Sequence, residues 1–303
     1  MLWTEKYRPK TLNEIVGQES FKLDAENWIE LDDMPNVLFF GPAGTGKTAA
    51  GIALANDILG EIKGPNFLEL NASDDRRLET VRTYIKDFAK HGKLGSAPFK
   101  ICLLDEMDGM TTDAQNALKR IMERYSDNIR FIITCNDRSK IIYPIQSRCA
   151  NYFFERLSDD VIESVIKQIL NGESKDLPTS DDLITFIASF HGDLRRVITE
   201  IQAAISSDRP LELQVNKSLE EYALVIDHIV NNHWNDASDK LFKMSQSGMT
   251  VKNICVGLHE AIINAELSSN AKYKYLRVVG EAEWRSQIMT PRILLSWVVA
   301  QCR

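Results

Sequence analysis

The feature that most constrains this chain is the octapeptide Gly41-Pro42-Ala43-Gly44-Thr45-Gly46-Lys47-Thr48, which directly follows the apolar run Asn36–Phe40. Its spacing, GxxxxGK(S/T) between a strand and a helix, is that of a phosphate-binding loop. The glycines let backbone N–H groups wrap phosphate oxygens, Lys47 adds a point positive charge, and Thr48 offers a hydroxyl to Mg²⁺. The positive end of the following helix, expected through about Leu59, favours the same anion. A dinucleotide-binding GxGxxG turn has a different glycine spacing, so an oxidoreductase reading fails.

Further apolar runs continue the pattern. Asn66–Leu70, Phe99–Leu104, Ile129–Cys135 and Asn151–Phe154 read as strands, separated by helical stretches over about 75–89 and from Thr112, paired with Gln115 three residues on, to about Tyr125. Strands alternating with helices of 10–15 residues call for a mostly parallel sheet covered on both faces, here five-stranded. After Arg156 the strand signal stops, and residues 161–170, 182–190 and 194–206 read as short amphipathic helices. Asp208-Arg209-Pro210 reads as a linker. Helices are expected over 219–231, 235–246, 250–267, 272–287 and 292–301, with Pro291 suited to a first helical turn. The expected organisation is a nucleotide-binding α/β domain (1–156), a small helical domain (157–209) and an all-helical domain (210–303).

Charge distribution says more than net charge. The total is −7, yet residues 151–200 alone carry 10 acidic against 5 basic side chains, while 201–303 are balanced at 11 each. Residues 74–100 hold seven Lys/Arg, so an acidic chain still offers a local positive field for a polyanion. The five cysteines form no CxxC and no metal-spaced cluster, as expected of reduced, structural thiols. No apolar run reaches the ~18 residues of a membrane span, and the start lacks a signal-peptide core. No membrane partner is expected.

Several polar residues sit where chemistry is expected. Asp105 and Glu106 end the third strand, placed respectively to hold Mg²⁺ through water and to orient an attacking water, although adjacent acids are also common in surface turns. Asp108 lies beyond the strand end. Asn136 follows the fourth strand, where it either bonds γ-phosphate or caps its own loop. By pattern alone Arg148 is one more surface arginine, and Arg195 and Arg196 either reach the phosphates or face solvent.

Together these residues carry a resemblance. Glu5-Lys6-Tyr7-Arg8-Pro9, Ile15-Val16-Gly17-Gln18, the phosphate loop, 67–74, Ala97–Phe99, the Asp-Glu strand, Met122-Glu123, Pro144–Cys149 and Gly192–Arg195 stand in family order over residues 5–196. The chain resembles the small subunits of replication factor C, the sliding-clamp loaders of archaea and eukaryotes, within the AAA+ ATPases. The resemblance implies ATP and Mg²⁺ as cofactors, with Tyr7, Arg8, Pro9, Val16 and Gly17 at the adenine end. Asn136 is implied as first sensor and Arg195 as second, on a lid domain. Arg148 is implied as an arginine finger acting on ATP held by a neighbouring subunit. Asn71 resembles the residue that restrains Glu106 until DNA arrives, and Arg76, Arg82 and Lys86 are implied to follow the DNA backbone. The C-terminal helices would form a collar joining one large and four small subunits. The implied partners are those subunits, a ring-shaped clamp and primer–template DNA, in the cytoplasm beside the nucleoid of an archaeon or in a eukaryotic nucleus. The usual Asp-Glu-Ala-Asp here reads Asp-Glu-Met-Asp, Ala43 stands where a second proline is common, and Arg77 replaces a customary glycine. A structural subunit with weak ATPase activity and a protein remodeller are the alternatives. The intact Lys47, Asp105, Glu106 and Arg148 argue against the first. The second would be expected to carry an aromatic pore loop, where this chain has Asn71–Arg76.

Overall fold

The computed structural model describes residues 1–60, 63–72, 81–175, 180–188, 190–207, 214–247, 249–286 and 288–303. Two compact units divide it, residues 1–211 and 212–303. Helices of nine residues or more are numbered α1 to α11.

In the first unit, β1 (Asn36–Phe40), β2 (Phe67–Asn71), β3 (Lys100–Asp105), β4 (Ile129–Cys135) and β5 (Cys149–Phe153) form one sheet of order β2-β3-β4-β1-β5. Every pairing is parallel. The three inner strands are almost continuously apolar because both faces are covered, and their side chains divide with period two. Val37, Phe39, Ile101, Leu103 and Ile132 pack under α1 (Glu19–Leu31) and α2 (Lys47–Leu59), through Phe21, Ala25, Ala50, Ala53 and Leu54. Leu38, Cys102, Leu104, Phe131 and Ile133 pack on the other face with Leu118, Ile121 and Met122 of α3 (Thr112–Arg124). Phe39 meets Phe21 and Phe154, each at 4.8 Å between ring centroids, which fastens α1 to the sheet.

The strands lie within two residues of the expected places, and the shifts have local causes. β2 starts at Phe67 because Asn66 is committed elsewhere: its buried amide donates to the Leu94 carbonyl and accepts from the Leu94 N–H, both at 2.9 Å. Helix α3 is capped by Thr111, whose hydroxyl accepts from the Ala114 N–H, and Gln115 is no capping partner. Gln115 is instead buried, donating to the carbonyls of Met110 and Lys140 and accepting from the Ile142 N–H at 2.9 Å. Of the helix expected over 75–89, the described part is a wider turn, Val81–Ile85, continued by Lys86–Lys90. Helix α1 has no sequence start signal, because Gln18 precedes it in the left-handed region (φ +59°) without a side-chain cap.

Three helices complete this unit as a lid: α4 (Asp159–Gly172), α5 (Ser180–Ala188) and α6 (Leu194–Ser206). The N-terminal segment is tied to them. The Trp3 N–H donates to Gln202 Oε1 at 2.9 Å, and Tyr7 Oη and Lys6 Nζ both donate to Glu173 Oε1, at 2.9 and 2.6 Å. The expected linker at Asp208–Pro210 lies outside the described residues.

The second unit is all-helical: α7 (Gln214–Val230), α8 (Trp234–Gln246), α9 (Val251–Asn264), α10 (Ser269–Arg285) and α11 (Pro291–Cys302). Its core runs through Val225, Leu241, Ile254, Leu258, Ala282 and Leu294. Pro291 opens α11 at its first turn, where a missing N–H costs nothing. Helices α7 and α9 touch through Gly257, where an added Cβ would lie 2.0 Å from the Tyr222 ring. Gly257→Ala should therefore destabilise this unit by about 1–3 kcal/mol through overpacking, read as a lower urea midpoint. An unchanged midpoint would mean that Tyr222 yields freely.

Candidate nucleotide site

The strands run parallel, so the ends of β1, β3 and β4 deliver the phosphate loop, Asp105-Glu106 and Asn136 to one edge of the sheet. A cavity of about 700 Å³ opens there within the first unit. It is lined by 43–49 of the loop and helix α2, by Asp105, Glu106 and Asn136, by Tyr7, Arg8, Pro9 and Val16 of the N-terminal segment, and by Ile169, Arg195 and Ile198 of the lid.

Lys47 is the hub. Its side chain is buried and donates to the carbonyls of Gly41 (2.8 Å) and Pro42 (2.7 Å) and to Asn136 Oδ1 (3.0 Å). Burial pulls its pKa below the ordinary lysine value, against the opposing charges of Asp105 and Asp108. A phosphate beside it would favour the charged form. Asp105 gathers two hydroxyls on Oδ1: Thr48 donates from the start of α2 at 2.8 Å, and Thr134 donates from β4. The same Thr134 Oγ1 accepts the Glu106 N–H at 3.1 Å. Glu106 sits at φ +54°, in the left-handed region, a conformation that costs a non-glycine residue about 1–3 kcal/mol and must be held by its surroundings. Thr134 and the turn bond from Gly109 N–H to Glu106 O, 3.0 Å, supply that hold.

The lid presses on the loop at one point. Asp193 caps α6 by accepting the Arg196 N–H at 3.0 Å, and a Cβ on Gly44 would fall 1.9 Å from Asp193 Oδ1. Gly44 also has φ +78°, so glycine is required there twice over.

The residues fit a nucleoside triphosphate with its magnesium. The N-terminus of α2, Lys47 and the glycine-lined loop converge on one point, as an anion requires, and the Thr48 hydroxyl and Asp105 carboxylate are hard oxygen donors of the kind Mg²⁺ takes. The apolar Val16, Leu157, Ile169 and Ile198 form a wall suited to a base.

Most of the residues proposed from sequence meet at this cavity, with exceptions. Gly17, Gly41 and Pro42 do not line it; Gly41 and Pro42 act from behind through their carbonyls, and Gly17 packs against Leu157. Arg148 is not on the cavity wall either. It follows the short helix Tyr143–Gln146, is exposed, donates to the Pro144 carbonyl at 2.6 Å and pairs with Glu123 of α3. Asn71 sits beside Asp105 in register at the end of β2. Lys86 is exposed, while Arg76 and the side chain of Arg82 lie outside the described residues. The sequence assigns no role to Thr134, Asp193 or Glu173, since a strand threonine, a helix-capping aspartate and a glutamate after a helix are ordinary in isolation. Cys135 also lines the cavity, its thiol pushed up to about 12 by burial, so it is neutral there.

A five-stranded parallel sheet with a phosphate loop after its first strand, an acid pair after the third, an asparagine after the fourth and a lid arginine defines an ATPase domain of the AAA class. The model of the "ATPase family associated with various cellular activities (AAA)" matches residues 37–157. The replication factor C small subunit of Methanococcus vannielii is 38% identical over 99% of this chain and 97% of its own length. That of Archaeoglobus fulgidus is 38% identical over 94% of this chain and 91% of its own. Among solved structures, the Thermotoga maritima RuvB Holliday junction branch migration motor superposes with a TM-score of 0.57 at 13% identity, over 78% of this chain and 85% of that one. At that identity the likeness is one of fold. The chain belongs to the replication factor C small-subunit family.

Thr134→Val removes both hydrogen bonds of that hydroxyl while keeping its shape. It should destabilise the first unit by about 1–3 kcal/mol in urea unfolding, because the Glu106 N–H loses its acceptor. Thr134→Ser should restore most of the loss. Equal stability of Val and Ser variants would contradict the assigned role.

Proposed function

We propose that this chain is an ATP-hydrolysing small subunit of a clamp loader, using nucleotide turnover to place a ring-shaped sliding clamp on primer–template DNA. The observation that carries the reading is the convergence of Lys47, Thr48, Asp105, Glu106 and Asn136 at one sheet edge, in a chain matched along nearly its whole length by replication factor C small subunits. In this reading Lys47 and the N-terminus of α2 take the phosphate charge. Thr48 and Asp105 hold Mg²⁺, which neutralises charge developing on the transferred phosphoryl group. Glu106 orients the attacking water, Asn136 senses the γ-phosphate from its contact with Lys47, and Arg195 brings the lid's charge to the same place. Asn71, at the neighbouring strand end, restrains Glu106 until DNA is engaged.

Arg148 acts in trans. Its exposure, its place off its own cavity and its pairing with Glu123 support a role at a neighbour's nucleotide, so each site is completed by another subunit. The helices of the second unit hold the subunits together as a collar, one large and four small. Arg76, Arg82 and Lys86 follow the DNA backbone, positioning the complex without reading sequence.

Three measurements test this. Lys47→Ala should abolish binding of a fluorescent ATP analogue, whereas Glu106→Gln should keep binding and lose turnover; equal loss of binding in both would contradict the division of roles. In the assembled complex, Arg148→Ala should bind ATP normally and lose about 10³–10⁵ in rate, as fingers supplied in trans do elsewhere. Full turnover of that variant would remove the finger. Arg82→Glu should weaken binding of unrelated duplexes equally, with a log K against log salt slope shallower by about 0.9 for the lost phosphate contact. An unchanged slope would assign Arg82 to a solvated face.

A further inference from the structure

The corner between α7 and α8, in the second unit, carries chemistry that ATP turnover does not use. His228 lies in the last turn of α7, His233 caps α8, and Asp236 stands in the first turn of α8. One ligand atom from each lies within 4.8 Å of the others, and they are the one such three-residue group among the described residues.

The backbone explains why they meet. Asn232 adopts the left-handed conformation (φ +61°), its N–H donates to the Ile229 carbonyl at 3.2 Å, and the His233 N–H donates back to the His228 carbonyl at 2.7 Å. This pair of bonds is the Schellman closure of a helix, which brings the third residue from its end against the second residue past it. In most such closures that contact is apolar; here it is imidazole against imidazole, with ring centroids 6.1 Å apart. His233 is at once the cap of the next helix, and the third helical residue of a capped start, Asp236, is placed to reach back to the cap. Two helix-end geometries thus overlap on His233 and gather three ligand-type side chains.

A second observation is independent of that geometry. His228 Nδ1 is buried and is the one buried side-chain nitrogen or oxygen among the described residues without a hydrogen-bond partner. Buried polar atoms are nearly always paired, and an orphan nitrogen at such a cluster calls for a ligand.

We propose that His228, His233 and Asp236 bind one divalent transition-metal cation of the zinc class. Two imidazoles and a carboxylate suit Zn²⁺, Co²⁺, Ni²⁺ or Cu²⁺, whereas Mg²⁺ and Ca²⁺ take oxygen ligands only. Tetrahedral bonds of about 2.0–2.1 Å place ligand atoms about 3.3 Å apart. The closure from the 4.8 Å limit is small, and both His233 and Asp236 are exposed and have room to turn. Three protein ligands leave a fourth position for water. The bound ion staples α7 to α8 and holds the corner of the second unit; it is separate from the magnesium of the first.

Titration of the tag-free full chain with Co²⁺, followed by displacement with Zn²⁺, tests the site. One equivalent should bind, with d–d absorption and no thiolate-to-cobalt charge-transfer band, and zinc should raise the thermal midpoint of the second unit. His233→Ala and Asp236→Ala, both at exposed positions, should each weaken binding at least tenfold and leave ATP-analogue affinity unchanged. His228→Ala should do the same where it folds. Undiminished binding in the His233 and Asp236 variants, a thiolate band, or no saturable binding of either ion would overturn the proposal.

Discussion

One carboxylate oxygen ties the site together. Asp105 Oδ1 accepts hydroxyls from Thr48 and Thr134, so the end of β3, the end of β4 and the start of α2 are joined at a single acceptor. Because Thr134 also holds the Glu106 N–H, Asp105 and Glu106, the two acids proposed to hold the metal and to orient the water, are positioned by the same contact. That contact, together with the turn bond from the Gly109 N–H, helps hold the left-handed backbone of Glu106. The parallel sheet makes the arrangement possible, since its strands all finish at the same edge.

A second constraint is the closeness of the lid to the loop. Asp193 stands where any side chain at position 44 would be, and Tyr7 and Lys6 converge on Glu173 at the end of α4. The N-terminal segment is therefore hydrogen-bonded to the lid, the lid lies against the loop, and all three face one cavity.

Much of this was legible in the sequence, for physical reasons. Lys47 and Thr48 were readable because the glycine spacing admits few backbone paths, and Asp105-Glu106 because an apolar strand must end before two acids. The inner strands were readable because burial on both faces leaves few polar interruptions. Thr134 was not, as a threonine in a strand needs no special reason. Helix α1 was hidden by the left-handed Gln18 that precedes it, and Gln115 was misread because a buried hydrogen-bonding role and a helix-capping one use the same side chain. Arg148 shows the limit most clearly: its pairing with Glu123 is intramolecular, while the chemistry proposed for it lies in another chain.

As proposed above, the chain holds a complete nucleotide-binding site and an incomplete hydrolytic one. ATP turnover by the isolated chain, compared with turnover by the clamp-loader assembly at saturating ATP–Mg²⁺, tests it most directly. The isolated chain should bind ATP and hydrolyse it slowly, with the rate rising steeply on assembly and again with clamp and primer–template DNA. An isolated monomer that turns over at the assembled rate would contradict it.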